Sequence, residues 1–319
     1  MLINYKDKHY WFITSNKSGS TFLDVMIQTI SKNNELFKIG APVGEWTREL
    51  FLDESYDLDN FEVIMYGRNP YMRFVSQFYH WWLNPFAHDA HDFGGKWMWD
   101  YPEEVVIQQK NDNNEILENK FMEILNDDGV SNKQKHNYMI KFWFGWVQSQ
   151  PEEIRIEKFR HFAKVFYAYM KQWGYGGKQF QQWAGSHLNW QVSDLRDVNR
   201  LFPMSDNFSS MHPYDGEYMD EFIEKWSKNT LQIENLKENF LFKDFIDIDD
   251  YSKKLANYNT KTPYKKETTF KSKKRIYSRH YDDQTIEIVN EIYKFDFIML
   301  NYKMMKNTDD LCKSFMLKK

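Results

Sequence analysis

Cysteine is almost absent from this chain. Cys312 is the only one in 319 residues, so no internal disulfide can form, and a reducing compartment fits. Long apolar runs are missing too: no stretch approaches the roughly 18 residues that a membrane helix needs. The first residues, Met1-Leu2-Ile3-Asn4-Tyr5-Lys6-Asp7-Lys8, carry no apolar signal core. An excess of positive charge is lacking. The net charge is −4, which argues against bulk nucleic-acid binding. No internal repeat is present, and no Gly-, Pro- or Ser-rich hinge divides the chain. Residues 1–319 therefore read as one domain, expected to be cytoplasmic and to bind neither membrane nor nucleic acid.

Aromatic residues, by contrast, make up 18% of the chain and supply ample core material. Two short segments carry the chemistry. The first runs from Trp11 to Leu23 and contains Thr14-Ser15-Asn16-Lys17-Ser18-Gly19-Ser20-Thr21. Tyr10 to Ile13 suits a buried strand. Gly19 permits a tight turn and a close backbone approach. Phe22, Leu23, Met26, Ile27 and Ile30 then recur at helical spacing. A strand, a tight polar turn and a helix start present backbone N–H groups and a positive dipole end to an anion. Lys17 adds a mobile charge. The loop is not a Walker A loop, because Lys17 precedes Gly19 and no glycine comes before it.

The second segment, Val63 to Ser76, repeats the pattern. Val63 to Tyr66 reads as a strand, Arg68 marks its end, and Pro70 suits a first-turn helix position. Phe74, Val75, Phe78, Tyr79 and Trp82 form the apolar stripe of the next helix. Two such turns, each with a cation, suit a ligand with phosphates at both ends. Surface solvation is the alternative for Arg68 and Arg73.

Elsewhere the pattern predicts helices over residues 154–173, a pair of helices over residues 217–242, and a helical stripe within residues 109–137. Residues 84–102 read as a loop or insertion. The fold class expected is α/β: parallel strands alternating with helices, with ligand at their carboxyl ends.

These segments resemble sulfotransferases, which use 3′-phosphoadenosine-5′-phosphosulfate (PAPS). Asn16-Lys17-Ser18-Gly19-Ser20-Thr21 is similar to the family's phosphosulfate loop, with asparagine where proline is usual. Arg68, Asn69, Pro70, Arg73 and Ser76 match the spacing of its 3′-phosphate motif. Tyr293-Lys294-Phe295-Asp296-Phe297, followed by Asn301-Tyr302, resembles the ending of carbohydrate sulfotransferases. The resemblance implies a P-loop-NTPase-like parallel sheet flanked by helices, with helical insertions. It also implies PAPS as co-substrate, 3′,5′-ADP as product, no metal, and a glycan or small-molecule acceptor. Lys17, Ser18, Gly19, Ser20 and Thr21 would hold the phosphosulfate end, and Arg68 and Ser76 the 3′-phosphate.

Sulfuryl transfer to an alcohol needs an aligned acceptor, charge neutralisation and a base. Lys17 is the expected partner of the leaving oxygen. No histidine lies between Lys17 and Arg68, which favours a carboxylate. Gly44-Glu45-Trp46-Thr47-Arg48 resembles a base-bearing segment of tyrosylprotein sulfotransferases, so Glu45 is the candidate base with Arg48 beside it; a solvated helix surface is the alternative. His80 and His187 are the histidine candidates. His187 and Gln191 lie in a segment similar to the His-x-x-Pro-Gln segment of carbohydrate sulfotransferases and would border the acceptor. His88-Asp89-Ala90-His91-Asp92 has metal-like spacing without a helical context. Trp173, Trp183 and Trp190 suit core packing or sugar stacking. Lys271, Lys273, Lys274 and Arg275, in the basic run Lys261–Arg279, are candidate 3′-phosphate or acidic-acceptor contacts; a solvated loop is the alternative. Besides a sulfotransferase, a kinase with an unusual phosphate loop and a non-catalytic glycan-binding relative remain open.

Overall fold

The computed structural model describes residues 2–6, 8–14, 20–41, 61–79, 151–173, 227–249 and 275–316, with a few single positions such as Gln191. They belong to two compact units. The first comprises Met1–Arg73, Asn189–Lys253 and Tyr293–Lys303. The second comprises Phe74–Leu188, Lys254–Ile292 and Met304–Lys319.

The first unit is built on a five-stranded sheet. Its strands are β1 (Leu2–Tyr5), β2 (Lys8–Thr14), β3 (Phe37–Ala41), β4 (Phe61–Gly67) and β5 (Thr230–Gln232), in spatial order β3-β1-β2-β4-β5. β2, β4 and β5 run parallel, whereas β1 is antiparallel to both β2 and β3. The sheet is thus mixed, which corrects the expectation of a parallel one. The cause is local: only Lys6 and Asp7 separate β1 from β2, and so short a connection can only reverse the chain. Lys6 adopts the left-handed region, φ 54°, as tight hairpin turns require.

Tyr10, Trp11, Phe12 and Ile13 of β2 are all buried, as a central strand covered on both faces demands. Alternation puts Tyr10 and Phe12 on one face. There Phe242 meets Tyr10 edge-on at 5.3 Å, and Tyr66 stacks on Phe12 at 5.9 Å. Helix α1 (Ser20–Asn33) packs against β3 and buries Leu23, Met26, Ile27 and Ile30, the stripe read from the sequence. The expected pair of helices over residues 217–242 needs correction. Thr230–Gln232 pairs with β4, and the adjoining helix α4 (Leu236–Asn239) has only 4 residues. Pairing with a sheet edge overrode local propensity there.

Helix α2 (Pro70–Gln77) begins in the first unit and ends in the second. In the second unit its Phe74 and Phe78 pack on helix α3 (Glu152–Trp173), where Phe159, Phe162, Ala163, Phe166 and Met170 are buried. Helix α5 (Arg275–Arg279) leads to helix α6 (Asp283–Ile292), which also lies against α3. Helix α7 (Lys294–Met299) returns the chain to the first unit, and helix α8 (Thr308–Met316) belongs to the second. Among the described residues no helix is long and apolar enough to cross a membrane, and no His, Cys, Asp and Glu group could hold a metal ion.

Candidate active site

The first unit brings its chemistry to the carboxyl edge of the sheet. Parallel register sets Thr14 opposite Tyr66, and Gly67 opposite Gln232. β2 therefore ends at Thr14 level with the end of β4, just before Arg68, one strand spacing away, or about 4.8 Å. From β2 the chain passes through α1 to β3 on one side of the sheet order; the route from β4 leads to β5 on the other. The gap between β2 and β4 is thus the topological switch point, where open α/β sheets bind ligands. Thr14 Oγ1, at the end of β2, is buried with no hydrogen-bond partner among the described residues.

The turn after β4 is splinted by side chains from distant segments. Tyr302 donates its hydroxyl hydrogen bond to the Gly67 carbonyl at 3.2 Å and also contacts the Glu234 carboxylate. The Gln191 amide accepts from Arg68 N and donates to Arg68 O, each at 2.7 Å. Asn69 N donates to Glu234 Oε1 at 3.0 Å. Asn69 then caps α2: its Oδ1 accepts from Tyr71 N at 3.0 Å and, more weakly, from Met72 N at 3.5 Å. Pro70 opens the helix where its missing N–H costs nothing. Burial, reinforced by the adjacent Glu234 carboxylate, drives the Tyr302 phenol pKa far up, and the Arg68 charge opposes that shift. Tyr302 is therefore a protonated donor at neutral pH.

This geometry corrects one expectation. The second turn does not offer backbone N–H groups to an anion. Those of Arg68, Asn69, Tyr71, Met72 and Arg73 are all engaged within the chain, the last with the Asn69 carbonyl at 2.9 Å. Arg68 is half-buried at the sheet edge.

Arg73 has a different task. It is not a solvated surface arginine: it is 1% exposed, with Nη1 3.9 Å from Asp296 Oδ2, and Asp296 is fully buried. Its guanidinium lies over the Tyr293 ring, 5.8 Å from the centroid. Tyr293, Asp296 and Tyr302, noted for resembling a family ending, thus act as internal supports of the β4–α2 turn. Gln191 lies beside Arg68. Sequence reading missed Glu234, which follows a strand inside a stretch whose pattern predicts helix.

Ser76 is half-buried on α2, in the second unit. Ser20 and Thr21 begin α1. Lys17, Ser18, Gly19, Glu45, Arg48, His80, His88 to Asp92, Trp183, His187, Trp190, Lys271, Lys273 and Lys274 lie outside the described residues, as do residues 84–102 and nearly all of 109–137.

Fold and site together define an α/β protein with its candidate site at the carboxyl edge of the sheet. The family follows from sequence comparison: the Sulfotransferase family model matches residues 26–303, and the chain belongs to that family. It is accordingly a transferase of sulfuryl groups. The match spans the Arg68 turn, Gln191 and the Tyr293–Tyr302 segment, and begins beyond Lys17. No curated protein matches, nor does any solved structure.

Proposed function

We propose that this enzyme moves a sulfuryl group from PAPS to a hydroxyl of a carbohydrate or small-molecule acceptor, in the cytoplasm. One observation carries the reading: Arg68 is held at the same sheet edge at which the neighbouring parallel strand β2 ends, three residues before Lys17 in the sequence. A guanidinium on an immobilised backbone suits a phosphate, which it can grip bidentately. Arg68 and Ser76 would hold the 3′-phosphate, and Lys17 with Ser18, Gly19, Ser20 and Thr21 the phosphosulfate. Lys271 and Lys273 are further candidate contacts. PAPS, when bound, supplies the activated sulfuryl group. Lys17 neutralises charge on the leaving phosphate. Glu45 takes the acceptor's proton, with Arg48 beside it.

A thermal-shift comparison of PAPS, 3′,5′-ADP, magnesium ATP and NAD tests the donor. PAPS and 3′,5′-ADP should stabilise the protein while ATP and NAD do not. A response to magnesium ATP alone would favour a kinase, and glycan binding without PAPS turnover a non-catalytic relative. Lys17→Ala should keep the fold and lose roughly 3–4 kcal/mol of transition-state stabilisation. Glu45→Gln should slow transfer about 100- to 10,000-fold with little change in nucleotide affinity. Full turnover in Glu45→Gln beside a dead His80→Ala or His187→Ala would move the base to a histidine. Arg68→Ala should weaken 3′,5′-ADP strongly and 5′-AMP little.

A further inference from the structure

Gln191 is fully buried, and its bonds form a chain. Its backbone N donates to Asp296 Oδ2 at 3.0 Å, and its Nε2 reaches the same oxygen at 3.4 Å. The side-chain amide then closes a two-bond ring on the Arg68 backbone, accepting from N and donating to O, both at 2.7 Å. A primary amide has one acceptor oxygen and two N–H donors, so this arrangement uses all three functions. Asp296 holds Gln191, and Gln191 holds both polar groups of Arg68.

The peptides on either side of Arg68 have their own anchors, Tyr302 on Gly67 and Glu234 on Asn69. Those anchors share their peptide planes with Gln191, since Arg68 N belongs to the Gly67–Arg68 peptide and Arg68 O to the Arg68–Asn69 peptide. Gln191 grips both planes with one side-chain amide, which couples them and so sets the direction of the Arg68 Cα–Cβ bond. A long, flexible cation gains affinity and selectivity when its root is fixed before binding, because less freedom is lost on contact.

We infer that Gln191 is a positioning residue that sets preference for a 3′-phosphorylated nucleotide by fixing the backbone of Arg68. This rests on the proposed role of Arg68. Calorimetry with 3′,5′-ADP and 5′-AMP on the full chain tests it. Gln191→Ala should lower 3′,5′-ADP affinity about tenfold, the loss expected from a buried hydrogen-bond pair, and leave 5′-AMP within about twofold. In an Arg68→Ala background, Gln191→Ala should change neither ligand further. A support that matters only for folding would not show that coupling. Equal losses for both nucleotides, or full additivity with Arg68→Ala, would overturn the proposal while leaving the donor assignment intact. A wild-type protein that binds both nucleotides alike would overturn the role of Arg68 and this inference with it. Gln191→Asn keeps a buried amide but is one methylene short of Arg68, and the same loss of preference is expected. If both variants unfold, judged by circular dichroism, the proposal also fails, because it assigns Gln191 to the aim of Arg68 rather than to the fold.

Discussion

The two ends of helix α2 are held by opposite kinds of physics. In the first unit its start is fixed by polar groups: the Asn69 cap, the Gln191 ring on Arg68 and the buried Arg73–Asp296 pair. In the second unit its end is fixed by packing. Phe74 stacks on Phe162 at 5.0 Å, and Phe78 meets Phe159 edge-on at 5.4 Å. Apolar contacts are non-directional and tolerate adjustment. Buried hydrogen bonds demand fixed geometry and are costly when half-made. A turn held in one geometry needs the second kind of restraint; a helix that must only stay folded does well with the first.

The largest expected effect comes from breaking the polar end. Asp296→Ala removes the buried carboxylate 3.9 Å from Arg73 and strips both Gln191 contacts, so a loss of up to about 5 kcal/mol is expected in urea unfolding. Replacing the pair together, Arg73→Met with Asp296→Leu, should recover much of that stability, because no buried charge is then stranded. No recovery would mean that the ion pair itself stabilises the turn.

Breaking the packed end should cost somewhat less. Phe162→Ala opens a cavity between α2 and α3 and should lose roughly 3–4 kcal/mol in the same experiment, while Phe162→Leu loses much less. If the two substitutions cost the same, shape rather than volume dominates this end.

Gly67 offers a third probe. A Cβ added there would lie 2.3 Å from both Leu300 methyl groups and 2.8 Å from its Cγ. Leu300 is itself buried, so Gly67→Ala should cost about 1–3 kcal/mol. Adding Leu300→Ala should be less than additive, measurable as a double-mutant cycle.

Tyr79 marks a polar feature within the packed end. Its hydroxyl is 2.7 Å from His280 Nε2, and burial pushes its pKa from 10.0 up to about 12. A folded pKa above the unfolded one means stability that is fully present below pH 10.0 and lost as pH rises through about 12. Tyr79→Phe should cost about 1 kcal/mol at neutral pH and remove that part of the alkaline loss. An unchanged alkaline profile would assign the loss to other buried phenols. Smallest of all should be Lys171→Ala, which breaks an exposed, solvent-screened pair with Glu291 and should leave the urea midpoint unchanged within error.

The sequence made much of this frame legible. Strands β2 and β4, helices α1 and α3 and the start of α2 all follow from runs whose periodicity and apolar content agree with their burial. Pro70 reads as a helix start because its missing N–H is a property of that residue, whereas the cap at Asn69 shows only in the structure. β5 was not legible. Thr230-Leu231-Gln232 is too short to declare itself, and it is a strand only because β4 presents an edge to it.

What the sequence determined alone is what neighbours in the chain enforce. The periodic apolar faces, the helix start at Pro70 and the spacing from Arg68 to Ser76 are of this kind. The tertiary structure alone decided which polar groups meet. Gln191, Glu234, Asp296 and Tyr302 come from segments far apart in the chain, yet they converge on residues 67–73. Hydrogen bonds act over about 3 Å, and nothing in the local sequence marks which distant donor will arrive within that reach. The same limit applies to Arg73. Its spacing matches a phosphate motif, but its burial beside Asp296 turns it inward as a support.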